Sequence, residues 1–292
     1  MTMFVQQTLN GITQGGLFAL LAISYSMVYG VLNLVNFSTG SLYMLGALGG
    51  WLIVVKVTNN LWLGIIGGGI ATFLTAFILE KIAFKSIRGI SRTSSLICTI
   101  GFSQVINELV AILFGRSTQN MPAFFLNDAF QIAGVSVRWL HIILILAVVV
   151  MLVSLQLLIY KTRVGLAIRT VSMDYKTAGL MGINVDRSIS IAFSVAGACA
   201  GIAGVLGCVY YSAFSPAMGV QPGLKSFSAA VFGGLTSMPG AILGGYLMGL
   251  IENFGVQIFS AGYRDIISFV ILILFLLVRP QGILGSKNIT KA

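Results

Sequence analysis

The chain reads as an all-α, polytopic membrane protein: a Gly-rich bundle of about 8–9 transmembrane helices, one or two of them short or broken. Three observations predict this. Only 8% of the 292 residues are charged and 57% are hydrophobic, whereas ordinary soluble domains carry about 25% charged residues. Apolar runs of the length needed to cross a bilayer recur from end to end. The 35 glycines fall largely inside those runs, in pairs such as Gly11/Gly15, Gly46/Gly50, Gly64/Gly68, Gly197/Gly201, Gly240/Gly244 and Gly245/Gly249. That spacing lets helix backbones approach closely where lipid supplies no hydrophobic drive between helices. The formal charge of +10 does not indicate a nucleic-acid partner. The basic residues cluster between apolar runs, where orientation against an anionic lipid bilayer accounts for them.

Spans are expected at roughly 10–31, 38–56, 61–79, 94–115, 140–159, 189–213, 223–238, 240–260 and 265–279. No cleavable signal is expected, because no basic region precedes the first apolar run. The first break, NFSTGS (Asn36 to Ser41), is polar enough to belong to a re-entrant or broken segment. The second, 81–92, carries Lys81, Lys85, Arg88 and Arg92. The segment 116–139 is the largest break on the opposite side and reads as a cap over the bundle. The longest polar interruption is 161–188, with Lys161, Arg163, Arg169, Lys176 and Arg187, and the tail adds Arg279, Lys287 and Lys291. Short basic loops stay in the cytoplasm, so these three basic regions and the C-terminus are expected there. Lys56, Arg116, Arg138, Lys225 and Arg264 are left outside or near an outer edge. Two cytoplasmic ends require an even number of crossings after Arg187, so the short, small-residue run 223–238, ending at the Pro239–Gly240 turn, must cross as well. Transporters place broken helices and substrate contacts in such segments. Nothing divides the chain, so residues 1–292 are expected to form one transmembrane domain.

Within the 161–188 loop, Ser172 to Met181 reads as a short helix. Ser172 can cap it, Asp174 suits its positive N-terminal end, and Gly182 is placed to stop it. Such a helix is either a docking element for a cytoplasmic partner or a connector lying on the headgroups.

Ionisable residues inside spans are few, and each asks for an explanation. Glu108 is expected near an outer interface or in a hydrogen bond. Glu252, beside Asn253, is either a polar lining of a path or a packing residue. His141, the sole histidine, lies at a span start without a clustered ligand set or a nucleophile, so neither metal binding nor nucleophilic catalysis is indicated. Cys98, Cys199 and Cys208 read as small packing residues. No Gly-Lys dipeptide occurs, which rules out a Walker A phosphate loop. No buried proton relay is visible either, so any energy for transport is expected from a partner.

Five stretches carry a family resemblance. They are NGITQGGLFALLAISYSMVYGVLNLVNFSTG, the loop helix with MGINVDRSISIAF, AGACAGIAGVLG, GLKSFSAAVFGGLTSMPGAILGGYLMGLIEN and YRDIISFVILILFLLVRPQGILG. In that order the chain resembles a membrane-spanning permease subunit of the branched-chain amino acid (LivH-type) ABC importers of the bacterial inner membrane. The resemblance implies transport without enzymatic activity of the chain's own and no cofactor, with ATP used by partner subunits. The implied partners are a second, LivM-like permease, two cytoplasmic ATPase subunits and an extracytoplasmic amino-acid-binding protein. It also implies that an ATPase-coupling helix lies at Ser172, Met173, Asp174, Tyr175, Lys176, Thr177, Ala178, Gly179, Leu180, Met181 and Gly182. Asn36, Ser38, Thr39, Ser41 and Glu252 are candidate residues of the translocation path. Many members read NFAHGE where this chain has NFSTGS. Thr39 and Ser41 therefore stand in place of His and Glu, which leaves urea, short amides or other amino acids as alternative cargo. A self-sufficient secondary carrier or channel is the alternative of another class.

Overall fold

The protein is described by a computed structural model covering residues 2–85, 92–122, 129–132, 135–279 and 281–285. Seven helices among the described residues are long and apolar enough to cross a membrane. Two of them form the centre. The 31-residue α1 (Thr2–Leu32) and the 27-residue α8 (Val185–Tyr211) are buried over most of their length. Around them run α2 (Thr39–Leu52, continued as a π-helix to Thr58), α3 (Leu61–Leu79, continued to Phe84) and α10 (Met238–Ile258). The more peripheral α4 (Arg92–Phe114) and α5 (Trp139–Lys161) expose long apolar faces.

Small residues decide these neighbours. A side chain at Gly15 would come within 2.9 Å of the Tyr246 Cα, and one at Gly11 within 3.1 Å of the Leu250 Cα. Those two contacts set α1 antiparallel to α10 at backbone distance. On the other side Gly46 meets the Gly201 backbone, and Gly68 lies so close that a Cβ there would stand 2.7 Å from the Gly46 carbonyl. The glycine pairs in the sequence are thus the seams of the bundle. Cys199 and Cys208 pack fully inside, while Cys98 is half-buried.

The break after α1 is closed by local hydrogen bonds. Asn33 ends α1 at φ 52°. The Asn36 carboxamide then accepts from Ser38 N (3.0 Å) and Ser38 Oγ (2.6 Å), and Thr39 Oγ1 donates to the Asn36 carbonyl (2.9 Å). This local network lets α2 start inside the bundle, where Gly40 faces Gly219 and Gly223.

Two expected boundaries move. The short run expected to cross is α9, Val220–Gly233, 14 residues or about 21 Å, against a hydrocarbon core of about 30 Å. Like the 15-residue last helix, it is not among the seven long enough to cross. It ends at Gly234 (φ +110°) rather than at Pro239. Pro239 instead lies in the first turn of α10, where its missing N–H costs nothing, and Ser237 caps that helix by accepting from Gly240 N at 3.2 Å. The final helix, α11 (Arg264–Val278), has 15 residues.

The polar loop is two helices, not one. α6 (Arg163–Met173) contains Ser172, whose hydroxyl donates back to the Arg169 carbonyl (2.7 Å) and caps nothing. Asp174 is the real N-cap of α7 (Tyr175–Leu180), accepting from Lys176 N at 2.9 Å. An ionised carboxylate is the stronger acceptor for orphan amide groups, so the helix begins there. Gly182 stops it at φ +82°, as expected.

The described parts of the basic breaks share one end of the bundle. Lys85 pairs with Asp186 (3.1 Å) at the start of α8, and the tail residue Leu284 lines a cavity with Arg169 and Ser172 of α6. At the opposite end β1 (Gln119–Asn120) pairs with β4 (Ala213–Phe214), and β2 (Ala129–Ile132) with β3 (Val135–Arg138). Trp51 Nε1 donates to the Asn120 carbonyl (3.0 Å) and stacks on Phe214, so the 116–139 segment covers that end of α2.

Candidate functional site

Glu252 is fully buried on the face of α10 that carries Gly245 and Gly249. Residues at i, i+4 and i+7 share one face, so the glycines that admit α1 also aim Glu252 at it. There Gln14 Nε2 donates to Glu252 Oε1 (3.0 Å), and Asn253 Nδ2 donates to Gln14 Oε1 (2.9 Å). Lys225 of α9, only 4% exposed, reaches the same Oε1 at 3.0 Å and Asp265 Oδ1 at 2.7 Å. Arg264 Nε of α11 lies 3.2 Å from Glu252 Oε1 without hydrogen-bond alignment. The expected isolated acid is therefore one member of a four-charge cluster joining α9, α10 and α11 to α1.

Arg264 opens α11 and stays partly exposed, whereas Lys225 is buried rather than exposed at the expected outer edge. Lys225 is inside the bundle because its positive charge meets two carboxylates there. Its sequence signal was weak: one Lys in a run of small residues, whose carboxylate partners lie 27 and 40 positions ahead.

The cluster lines a cavity of about 350 Å³ whose apolar walls include Phe18, Tyr211 and Met218. A second cavity, about 240 Å³, is lined by Phe37, Ser41, Ser103 and Asn107. The N-terminal part of α9 divides them: Gln221, Pro222 and Lys225 face the first, while Val220, Gly223 and Leu224 face the second. Glu252 and Ser41 thus line separate cavities. Ser41 Oγ lies 2.6 Å from Ser103 Oγ. Asn36, Ser38 and Thr39 are buried in the hydrogen-bonded turn before α2 and line neither cavity.

Glu108 forms a partly exposed ion pair with Arg116 (2.7 Å) at the end of α4, in keeping with the expected interfacial role. Sequence reasoning passed over Glu80. This residue is fully buried at the end of α3 and accepts from the Ser190 hydroxyl of α8. Its only signal was an acid set directly after an apolar run.

At the basic end, α7 is held by local bonds. The Thr177 hydroxyl, and then the Lys176 N–H, keep the Asp174 carboxyl below the usual carboxylate range. Ala178 is buried against Val171 and Ile189. Met173, Leu180 and Met181 are 88, 89 and 77% exposed. Three large apolar side chains are thus exposed on a polar loop.

Residues 7–276 match the family described as the branched-chain amino acid transport system / permease component. The chain belongs to this family. It is 34% identical over 300 residues to the high-affinity branched-chain amino acid transport system permease protein LivH of Salmonella typhimurium, covering 99% of this chain and 97% of that one. The corresponding protein BraD of Pseudomonas aeruginosa is 33% identical, with 99% and 98% covered. A probable LivH of Methanocaldococcus jannaschii is 28% identical, with 94% and 91% covered. Among solved structures, PsaBC from Streptococcus pneumoniae in complex with Fab matches with a TM-score of 0.51 at 15% identity, covering 95% of this permease and 92% of that chain, a likeness of fold alone.

Proposed function

We propose that this permease forms the membrane path of an ATP-driven importer for branched-chain and other hydrophobic amino acids. The full-length likeness to LivH and BraD carries the reading. ATP is bound and hydrolysed by two cytoplasmic ATPase subunits, not by this chain. A second, LivM-like permease completes the path, and an extracytoplasmic binding protein delivers cargo. The whole chain acts as one permease domain. Lys85 pairing with Asp186, and Leu284 lying beside Arg169 and Ser172, support a cytoplasmic position for α6, α7 and the C-terminus in the bacterial inner membrane. Arg88, Lys287 and Lys291 lie outside the described residues. The apolar tip Met173, Leu180 and Met181 supports docking of residues Ser172 to Gly182 in an ATPase groove, and closure of the ATPases then rocks the bundle through that contact. Ser41 and Glu252 are the path candidates with cavities beside them. Thr39 is buried in the turn before α2, whereas Ser41, in the place of Glu, lines the second cavity. The full-length likeness to LivH and BraD, not this segment, favours the relatives' cargo over urea or amides.

Reconstitution into vesicles with the ATPases, second permease and binding protein tests the reading. Leucine uptake should require ATP and binding protein together. Uptake driven by an ion gradient through this chain alone would replace it with a secondary carrier.

A further inference from the structure

We propose that the cavity under Glu252 is a low-affinity binding site for a zwitterionic α-amino acid inside the permease, occupied after release from the binding protein. The proposal rests on the importer reading and adds a site of defined chemistry. The wall holds two acids, Glu252 and Asp265, and two bases, Lys225 and Arg264. Their formal charges cancel. A cluster of one sign would attract ions of the other, whereas a neutral alternating cluster suits a ligand carrying both charges and no net charge.

The geometry divides the four residues into a closed pair and an open pair. Glu252 and Lys225 are buried, and Glu252 Oε1 is already approached by Gln14, Lys225 and Arg264. The side chains of Arg264 and Asp265 are partly exposed at the cavity. Arg264 turns its Nε toward Glu252, so its terminal nitrogens can take a ligand carboxylate as a fork. Asp265, anchored through Oδ1 to Lys225, is placed to receive the ligand ammonium. Phe18, Met218 and the ring of Tyr211 supply the apolar wall against which an aliphatic side chain packs. The volume of about 350 Å³ lies at the lower end of the range of small-molecule sites, about 300–1,000 Å³. Binding must be weak, because the ligand competes with charge pairs the protein already makes. A path site needs that property in order to release its cargo.

The test is equilibrium binding of radiolabelled leucine to the purified complete complex without binding protein, with ATP-driven uptake by the same preparation measured in parallel. Saturable binding is expected. Leucinamide, which lacks the carboxylate, and 4-methylpentanoate, which lacks the ammonium, should each compete at least tenfold less well than leucine. Asp265→Asn and Arg264→Gln should each weaken leucine binding at least tenfold. The analogue competition needs no variant, so it stands even if a substitution prevents assembly. A complex that imports leucine but shows no saturable binding, or on which both analogues compete as well as leucine, overturns the site and leaves the importer reading intact. Absence of both binding and ATP-driven uptake of any amino acid overturns both.

Discussion

The α1–α8 centre and the α6–α7 end are built by opposite means. The centre has almost no side chain at its seams: Gly11, Gly15, Gly46 and Gly201 bring backbones together, and the Glu252 cluster ties three helices through ion pairs and α1 through Gln14. The α6–α7 end relies on short-range bonds, Asp174 to Lys176 N and Asn184 to Arg187 N, and leaves its largest apolar side chains uncovered. One region is complete in the single chain. The other holds its shape locally and leaves large apolar side chains uncovered among the described residues.

Substitution at the seams should produce the largest loss. Gly46→Leu forces a side chain into the Gly201 backbone, where neither helix can yield, and should cost more than about 4 kcal/mol. Size-exclusion profiles of the detergent-extracted protein should show loss of the monodisperse species. Next is Glu252→Gln, which leaves Lys225 with Asp265 alone and takes from Arg264 the carboxylate it faces. It should destabilise by about 3 kcal/mol, read as a fall in thermal midpoint. The double variant Lys225→Met with Glu252→Gln should recover most of that loss, since no surplus buried charge remains; a further fall instead would mean that the cluster is not coupled as described.

Effects at the α6–α7 end should appear in function rather than stability. Gly179→Pro breaks α7, a six-residue helix, and should abolish ATP-driven uptake while the thermal midpoint and membrane insertion stay unchanged. Preserved uptake would refute docking through α7. The smallest effect concerns pH. The folded pKa of Asp174 is lowered by its bonds to Thr177 and Lys176, so its capping contribution is present above the unfolded carboxylate value of about 3.9 and fades as pH falls through the lowered one. Hydrogen-exchange protection of residues 175–180, compared with Asp174→Asn, should differ near neutral pH and converge only in strong acid.

The two regions also differed in how much the sequence revealed. Spans and seams were legible because apolar length and glycine spacing are local signals, and the 140–159 run became Trp139–Lys161 with little change. The Glu252 cluster was legible only in its acid. Lys225 and Arg264 came from distant positions, and only the packing of α9 and α11 against α10 shows that they meet it. The start of α7 was misplaced by two residues because Ser172 and Asp174 are both good caps in sequence. Only the structure shows the first hydroxyl already donating to Arg169.

The most direct test places a photo-crosslinking residue at Leu180 in the assembled complex. We expect a crosslink to an ATPase subunit whose yield changes between nucleotide-free and ATP-bound states. A complex that co-purifies with its ATPases yet crosslinks from Leu180 only to lipid would contradict the assignment of α7 as the docking element.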